Sequence, residues 1–230
     1  MFSGSAGAAG VRAAALACGQ FTQAALAPPA PRDDNTHWIE RFAAIKQELA
    51  AQPHSALFLG DSITERWPAA IWQQNFAARG VLNAGINGDR TEHLLWRLDH
   101  GDLAGPRPRL IVVLIGTNDL AHGRPPEIAA EGVRANLSRL REDVPAAHIL
   151  LLGLTPRSDR FDRGVEPVNR LIARCGGGLV TYADPGKTLR DPGGRVRQGI
   201  LSDGVHFTAP GYRALAQQLT PLLDRLLAQQ

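Results

Sequence analysis

Short apolar runs alternate along this chain with longer segments in which apolar residues recur at helical spacing. The apolar runs, which are typical of parallel strands buried on both faces, are residues 56–59, 81–84, 110–115, 148–152 and 179–182. The segments of helical spacing are residues 38–51, 69–78, 91–98, 128–140, 165–175 and 212–227. This alternation predicts an α/β fold, a three-layer α/β/α sandwich around a five-stranded parallel sheet. In the first helix, the predicted apolar positions are Trp38, Ile39, Phe42, Ile45 and Leu49.

The order of the strands in that sheet decides which loops meet. For a chain with five such strands, we expect the flavodoxin-like order 2-1-3-4-5. In this order the direction of the connections reverses between the first and third strands, and ligands of such sheets bind at the strand carboxyl ends near that point. The loops after the first three strands should therefore line one crevice.

The loop after the first strand carries a candidate nucleophile. Gly60 ends the apolar run, and Asp61 and Ser62 follow. Both are common residue types at helix N-caps. Backbone N–H groups at the start of a helix favour negative charge. A serine in this position can also be a cap and nothing more, so its role depends on what other loops supply.

Three further loops supply residues that would complete such a site. Gly85 follows the second strand, Asn118 follows the third, and Asp203 and His206 precede the last helix. An imidazole can take the proton of a serine hydroxyl, and a carboxylate can orient that imidazole. A glycine lets a backbone N–H approach closely, and an asparagine amide can donate to a developing oxyanion. Each residue alone has an ordinary structural explanation, but together they predict serine hydrolase chemistry.

These residues fall in four short motifs: Gly60-Asp61-Ser62, Gly85, Gly116-Thr117-Asn118-Asp119 and Asp203-x-x-His206. With these motifs in this order, residues 54–228 resemble the SGNH (GDSL) hydrolases. Residues 83–98 are similar to the platelet-activating-factor acetylhydrolase alpha-subunit branch, which bacterial acyl and carbohydrate esterases share. The resemblance implies that Ser62 is the nucleophile, His206 its general base and Asp203 the residue that orients His206. It also implies an oxyanion hole formed by the backbone N–H groups of Ser62 and Gly85 and the side-chain amide of Asn118.

The resemblance further implies a serine ester hydrolase that works through an acyl-enzyme and uses no metal or cofactor. It suggests short acyl groups, acetyl first, on a small-molecule or carbohydrate ester whose leaving group is a carbohydrate, a lipid-like group or a small alcohol. A lysophospholipase or thioesterase of the same fold is an alternative, and so is a non-catalytic flavodoxin-like module that binds an anion. Likeness to the acetylhydrolase alpha subunits makes a homodimer one option.

Other polar residues near the strand ends are predicted to have no catalytic role. Asp61, Asp89 and Asp119 are expected to satisfy N–H groups of their loops through side-chain hydrogen bonds. His93 and His122 follow strand ends, and we predict that both lie on the surface.

Composition and net charge indicate which kinds of binding partner are not expected. The chain has 230 residues, of which 44% are hydrophobic and 20% charged, values ordinary for a globular domain. The net charge of +3 arises without a run of five like charges, so a nucleic-acid partner is not expected. The sequence has no apolar stretch of eighteen residues, and no transmembrane segment is predicted.

Residues 1–35 differ in composition from the rest and are rich in Ala, Gly and Pro. We predict that they form a signal peptide or disordered leader with a Pro-rich linker, and that residues 36–230 form the hydrolase domain. Ala25-Leu26-Ala27 fits a signal cleavage site. Cleavage after Ala27 would make the enzyme periplasmic or secreted, whereas an uncleaved extension would suit a cytoplasmic protein. Because Cys18 lies in this leader, Cys175 is predicted to be a packing residue and not a disulfide partner.

Overall fold

Five parallel strands form one sheet in the computed structural model, which describes residues 16–19, 26–101, 103, 107–158 and 162–229. The strands are β1 (Ala56–Gly60), β2 (Val81–Gly85), β3 (Leu110–Leu114), β4 (His148–Leu152) and β5 (Val180–Ala183). Their order is β2-β1-β3-β4-β5, which confirms the predicted fold class and topology. Gly60, at the end of β1, is opposite Gly85 in β2 and Leu114 in β3. The carboxyl ends of these three strands therefore lie at one edge.

Helices connect the strands. They are α1 (Thr36–Ala51), α2 (Ser62–Glu65), α3 (Ala69–Asn75), α4 (Thr91–His100), α5 (Thr117–Ala121), α6 (Pro126–Asp143), α7 (Val165–Ile172) and α8 (Ala209–Ala228). Short 3₁₀ turns occupy residues 77–79, 173–175 and 185–189. Two predicted helices thus end earlier than expected: α3 and α7 each pass into a 3₁₀ turn. None of the helices formed by the described residues is both long and apolar enough to cross a membrane.

The core is formed by the strands and by one face of each long helix. Every residue of β1, β3 and β4 is buried, as expected for central strands of a parallel sheet. On α1, Trp38, Phe42, Ile45 and Leu49 are buried, but Ile39 is 46% exposed. The prediction for Ile39 was wrong, because a residue directly after Trp38 is rotated by about 100° around the helix and leaves the buried face.

Aromatic rings connect α1 to α4. Trp38 lies 5.4 Å from Phe42 and 5.6 Å from Trp96, measured between ring centroids. Phe42 and Trp96 are themselves 5.7 Å apart. This cluster packs the beginning of α1 against α4, next to the loop that follows β2.

A disulfide bond joins Cys18 to Cys175, so the prediction that Cys175 is an unpaired packing residue was wrong. Cys175 is fully buried in the 3₁₀ turn after α7, and Leu16 and Cys18 pack against the core. The guanidinium of Arg134 also donates to the carbonyl oxygen of Cys18. A separation of 157 residues gave no sign of this contact, because only the packing of residues 16–19 brings the two cysteines together. The rest of the predicted leader, residues 1–15 and 20–25, lies outside the described residues.

Candidate active site

Ser62, His206 and Asp203 form one chain of hydrogen bonds. Ser62 is the first residue of α2 and directly follows the end of β1 and its N-cap Asp61. The Ser62 Oγ lies 2.8 Å from the Nε2 of His206, a residue 144 positions further along the chain. The Nδ1 of His206 lies 2.6 Å from the Oδ2 of Asp203. The structure thus brings together the three residues predicted to act as nucleophile, base and orienting carboxylate.

The loop before α8 fixes the imidazole through Asp203. The Oδ1 of Asp203 accepts the backbone N–H groups of Val205, at 3.0 Å, and His206, at 2.8 Å. The backbone N–H of Ser202 donates to the carbonyl oxygen of His206, which closes the turn. Spacing of three residues therefore suffices for one carboxylate to hold both the backbone and the ring of His206.

Hydrogen bonds to Asp203 keep its carboxylate charged, and that carboxylate fixes which ring nitrogen of His206 is the donor. Partial desolvation raises the pKa of Asp203, but hydrogen bonds from the backbone and side chain of His206 and from the N–H of Val205 outweigh it and lower the pKa to about 2. A carboxylate can only accept, so the Nδ1 of His206 must be the donor. In the neutral imidazole, Nε2 is then free to accept the hydroxyl proton of Ser62.

Asn118 lies in α5, directly after β3 and next to β1 in the sheet. Its Nδ2 donates one hydrogen to the carbonyl oxygen of Asp89, at 2.9 Å. A primary amide has two N–H hydrogens. One of them is used to fix the orientation of the amide, and the second is left for another acceptor.

Gly85 has a different role from the one predicted. Its N–H donates to the Oδ1 of Asn83, at 3.0 Å, and is therefore not available to an oxyanion. A Cβ at position 85 would lie 2.5 Å from the backbone nitrogen of Glu65. Glycine is required here because the backbone of α2 packs directly against the end of β2.

Gly88, three residues further on, has a backbone N–H without such a bond. It lies in a turn closed by a hydrogen bond from the N–H of Asp89 to the carbonyl oxygen of Ile86, and its φ is +79°. Among the described residues, no atom accepts the backbone N–H of Gly88 or that of Ser62. The signal for Gly88 was present in the sequence: Asn-Gly-Asp after a strand is typical of a turn with glycine at a left-handed position.

Two of the aspartates predicted to be structural hold loops at the strand ends. The Oδ1 of Asp61 accepts the N–H of Ile63 and caps α2. Asp119 accepts the N–H and the hydroxyl of Thr91, at 3.0 and 2.8 Å, and also pairs with Arg124. Asp89 differs from the other two, because its carboxylate binds side chains and not loop N–H groups.

The prediction for His93 was wrong. This residue is only 4% exposed, and its Nδ1 accepts the backbone N–H of Arg90 at 3.0 Å. Burial, aided by neighbouring arginines, lowers the pKa of His93 to about 4, so it is neutral at pH 7. His93 was mistaken for a surface residue because its side chain acts as part of the N-terminal cap of α4, which spacing alone does not reveal. His122 is exposed, as predicted.

A cavity of about 680 Å³ adjoins Gly88. One wall is the segment 27–35, and the other includes Arg90, His93, His122 and Arg124. Within the described ranges, no cluster of three or more His, Cys, Asp or Glu side chains is arranged to bind a metal ion.

Comparison with known proteins identifies the family of this chain. Residues 58–214 match the model of the GDSL-like Lipase/Acylhydrolase family. The chain is 36% identical over 212 residues to human platelet-activating factor acetylhydrolase IB subunit alpha1, an alignment that covers 87% of this chain and 90% of the relative.

Solved structures show the same fold. A protein from Streptococcus pneumonia described as a platelet activating factor superposes with a TM-score of 0.73 at 26% identity, over 81% of this chain and 92% of that one. A carbohydrate esterase family 3 protein from Talaromyces cellulolyticus superposes with a TM-score of 0.64 at 21% identity, over 77% of this chain and 100% of that one. The family match and the human relative together show that this chain belongs to the GDSL-like lipase/acylhydrolase family of ester hydrolases.

Proposed function

We propose that this protein is a serine esterase that removes short acyl groups, acetyl first, from small-molecule or carbohydrate esters. The observation that carries the proposal is the hydrogen-bonded chain from the hydroxyl of Ser62 through His206 to Asp203. The relative at 36% identity is an acetylhydrolase by name, which supports acetyl as the first acyl group to test.

In the proposed reaction, the Nε2 of His206 takes the hydroxyl proton as the Oγ of Ser62 attacks the ester carbonyl. The resulting tetrahedral intermediate expels the alkoxide, which receives that proton from Nε2 and leaves as an alcohol. Water then attacks the acyl-enzyme with the same base, and the carboxylic acid and free Ser62 are released. Asp203 stays ionised throughout and stabilises the imidazolium that forms in each half of the reaction.

The oxyanion would be bound by three N–H groups. These are the backbone N–H of Ser62, the backbone N–H of Gly88 and the second amide hydrogen of Asn118. Gly88 replaces the originally predicted Gly85, whose N–H is already bonded to Asn83. Such donors act on the charge that develops in the transition state, and the loss of one typically costs about 3 kcal/mol.

The decisive test is the substitution Ser62→Ala. We expect it to abolish hydrolysis of p-nitrophenyl acetate while leaving the unfolding temperature nearly unchanged. An organophosphonate should label Ser62 in the wild-type protein, as detected by mass spectrometry of the peptide. Full activity in Ser62→Ala would refute the proposal, and ligand-induced stabilisation without labelling would favour an anion-binding module.

Acyl length and leaving group need a separate experiment. We propose a panel of p-nitrophenyl esters from acetate to palmitate, assayed beside acetylated xylan. The proposal expects kcat/KM to be highest for acetate and to fall with chain length. A rate that rises with chain length would favour the lysophospholipase or thioesterase alternative.

We also propose that the protein is exported and folds in an oxidising compartment. The bond between Cys18 and Cys175 supports this, because disulfides persist mainly outside the reducing cytosol. Cleavage after Ala27, as the sequence suggested, would remove Cys18 and with it this bond, so the disulfide supports export with Cys18 retained. N-terminal sequencing with thiol titration of the protein from its native host distinguishes the outcomes: two free thiols on an intact start would contradict export.

A further inference from the structure

The loop after β2 supplies two of the three contacts on which the proposed oxyanion hole depends. Gly88 offers its own N–H, and the carbonyl oxygen of the adjacent Asp89 accepts one amide hydrogen of Asn118 at 2.9 Å. A shift of residues 88 and 89 would therefore displace one donor directly and rotate a second. The oxyanion hole therefore requires residues 88 and 89 to keep their position.

Buried hydrogen bonds of the Asp89 side chain hold that loop in place. It is completely buried, and its Oδ1 accepts the indole N–H of Trp38 at 2.7 Å. Its Oδ2 accepts from the Nη1 of Arg97 at 2.6 Å. The Nη2 of Arg97 donates to the carbonyl oxygen of Ala84 at 2.5 Å. Arg97 thus joins the end of β2 to the loop, and Trp38 holds the carboxylate of Asp89 by a second hydrogen bond.

Stability alone is a weak explanation for this arrangement. Replacing a buried ion pair by apolar residues of similar volume is often neutral or stabilising, because the charges lose their hydration. Arg97 and Asp89 are both fully buried. Trp38 belongs to α1, which precedes the residues 58–214 matched by the family model. This buried pair is costly to form, and it joins the end of β2 to the loop that carries Gly88. A need to hold that loop in position explains the pair better than stability does.

We propose that Asp89, Arg97 and Trp38 are positioning residues for the oxyanion hole. They act through the loop backbone, which they hold so that the N–H of Gly88 and the amide of Asn118 point to the same acceptor. This inference rests on the proposed esterase function. It assigns to the first helix of the domain a part in transition-state stabilisation.

The first test removes the indole N–H of Trp38. Trp38→Phe keeps an aromatic ring in the cluster but loses the hydrogen bond to Asp89. Its matched control is Trp96→Phe, because Trp96 packs on Trp38 and no atom in the described part of the chain accepts its indole N–H. With p-nitrophenyl acetate, we expect Trp38→Phe to lower kcat about 5- to 20-fold with KM within twofold, and Trp96→Phe to change both by less than twofold.

The second test changes the clamp itself. Arg97→Lys keeps the positive charge, but one ammonium group cannot reproduce the planar guanidinium that reaches both Asp89 and Ala84. We expect kcat and the rate of Ser62 phosphonylation to fall together by at least tenfold. The midpoint of the acidic limb of kcat/KM, which reports the general base, should not move. A purely structural defect would instead lower the fraction of active enzyme and leave the kcat of the remaining active enzyme unchanged.

The outcomes separate this inference from the function on which it rests. If Trp38→Phe keeps kcat within twofold of the wild type while its unfolding temperature falls, the three residues serve stability only and the proposal is overturned. If Arg97→Lys does not fold, Trp38→Phe and its control decide alone. If the wild-type protein neither hydrolyses esters nor reacts with the phosphonate, the esterase assignment itself fails and this inference with it.

Discussion

Asp61, the residue directly before the candidate nucleophile, is a buried carboxyl with few neighbouring groups that stabilise its negative charge. It is 1% exposed, and its Oδ2 has no hydrogen-bond partner among the described residues. Burial, together with the nearby charges of Asp89 and Asp119, raises the pKa of Asp61 to about 7 in spite of the hydrogen bond from Ile63. A carboxyl this close to the active site is thus neutral in acidic solution and ionised only in alkaline solution.

We predict that Asp61 makes the folded protein less stable as the pH rises from about 4 to about 7. In the unfolded chain an aspartate ionises near pH 3.9, whereas the folded state holds the proton to about pH 7. Its stabilising contribution is therefore complete below pH 4 and is lost on passing through pH 7, by up to about 4 kcal/mol. Denaturant unfolding of wild type and Asp61→Asn at several pH values measures this difference.

The Asn variant retains an oxygen that can accept the N–H of Ile63, so it should not disturb the cap of α2. Glu166→Gln is the control, because Glu166 is an exposed carboxylate that pairs with its helix neighbour Arg170. A constant difference between wild type and Asp61→Asn across this pH range would contradict the prediction.

The sequence identified most residues of the candidate site but not which backbone N–H is free. Four site residues could be identified because the sequence shows their side-chain groups directly; they are Ser62, Asn118, Asp203 and His206. A backbone N–H donor has no such mark in the sequence, because every residue except proline carries one. Whether an N–H is available at position 85 depends on the side-chain oxygen of Asn83, and no spacing rule describes that contact.

At the scale of elements, α8 links the base to the nucleophile. This helix begins at Ala209, shortly after His206, and its Tyr212 donates a buried hydrogen bond to the carbonyl oxygen of Ile63 at 2.9 Å. Ile63 lies in α2, next to Ser62. The phenol of Tyr212 therefore connects α2, which begins with Ser62, to α8, which follows the loop that carries His206.

We predict that Tyr212→Phe destabilises the fold by about 1–2 kcal/mol, because it leaves the carbonyl oxygen of Ile63 buried without its partner. We also expect a lower kcat with KM little changed, since α2 and α8 lose a shared contact. The control is Tyr182→Phe, whose hydroxyl donates to no acceptor in the described ranges. Equal kcat values in the two variants would show that the bond serves only stability.

The boundaries of the elements were less predictable than their order. Apolar runs located all five strands, and the error at β5 was a single residue at each end. Helix ends depend on local hydrogen bonds, and both α3 and α7 pass into a 3₁₀ turn that the apolar pattern continues through. The buried face of α1 was correct at four positions and failed at Ile39, an apolar residue on the exposed side of the helix.

At the scale of the whole molecule, the main contact that the sequence did not predict is covalent. The bond from Cys18 to Cys175 fixes residues 16–19 to the end of α7. The strand order followed from the number and type of elements, because few topologies suit a five-stranded parallel sheet. A disulfide between two cysteines 157 positions apart follows from no such rule.

We predict that loss of this disulfide lowers the free energy of unfolding by about 2–4 kcal/mol, because the unfolded chain regains the freedom of a long loop. The comparison is between wild type and the double variant Cys18→Ser/Cys175→Ser, by thermal and denaturant unfolding. Acetyl-ester kcat should stay within twofold, since neither cysteine contacts the candidate site. Identical unfolding curves with and without dithiothreitol would contradict the prediction.

The same bond divides the polypeptide into two parts that respond differently to proteolysis. A single cut at any peptide bond between Cys18 and Cys175 leaves both fragments attached to each other, including every piece that carries Ser62 or Asn118. A cut between Cys175 and Asp203 instead produces a fragment that carries both Asp203 and His206 and that no covalent link retains. On a non-reducing denaturing gel, nicked molecules of the first kind keep their full mass, and those of the second kind separate into two bands.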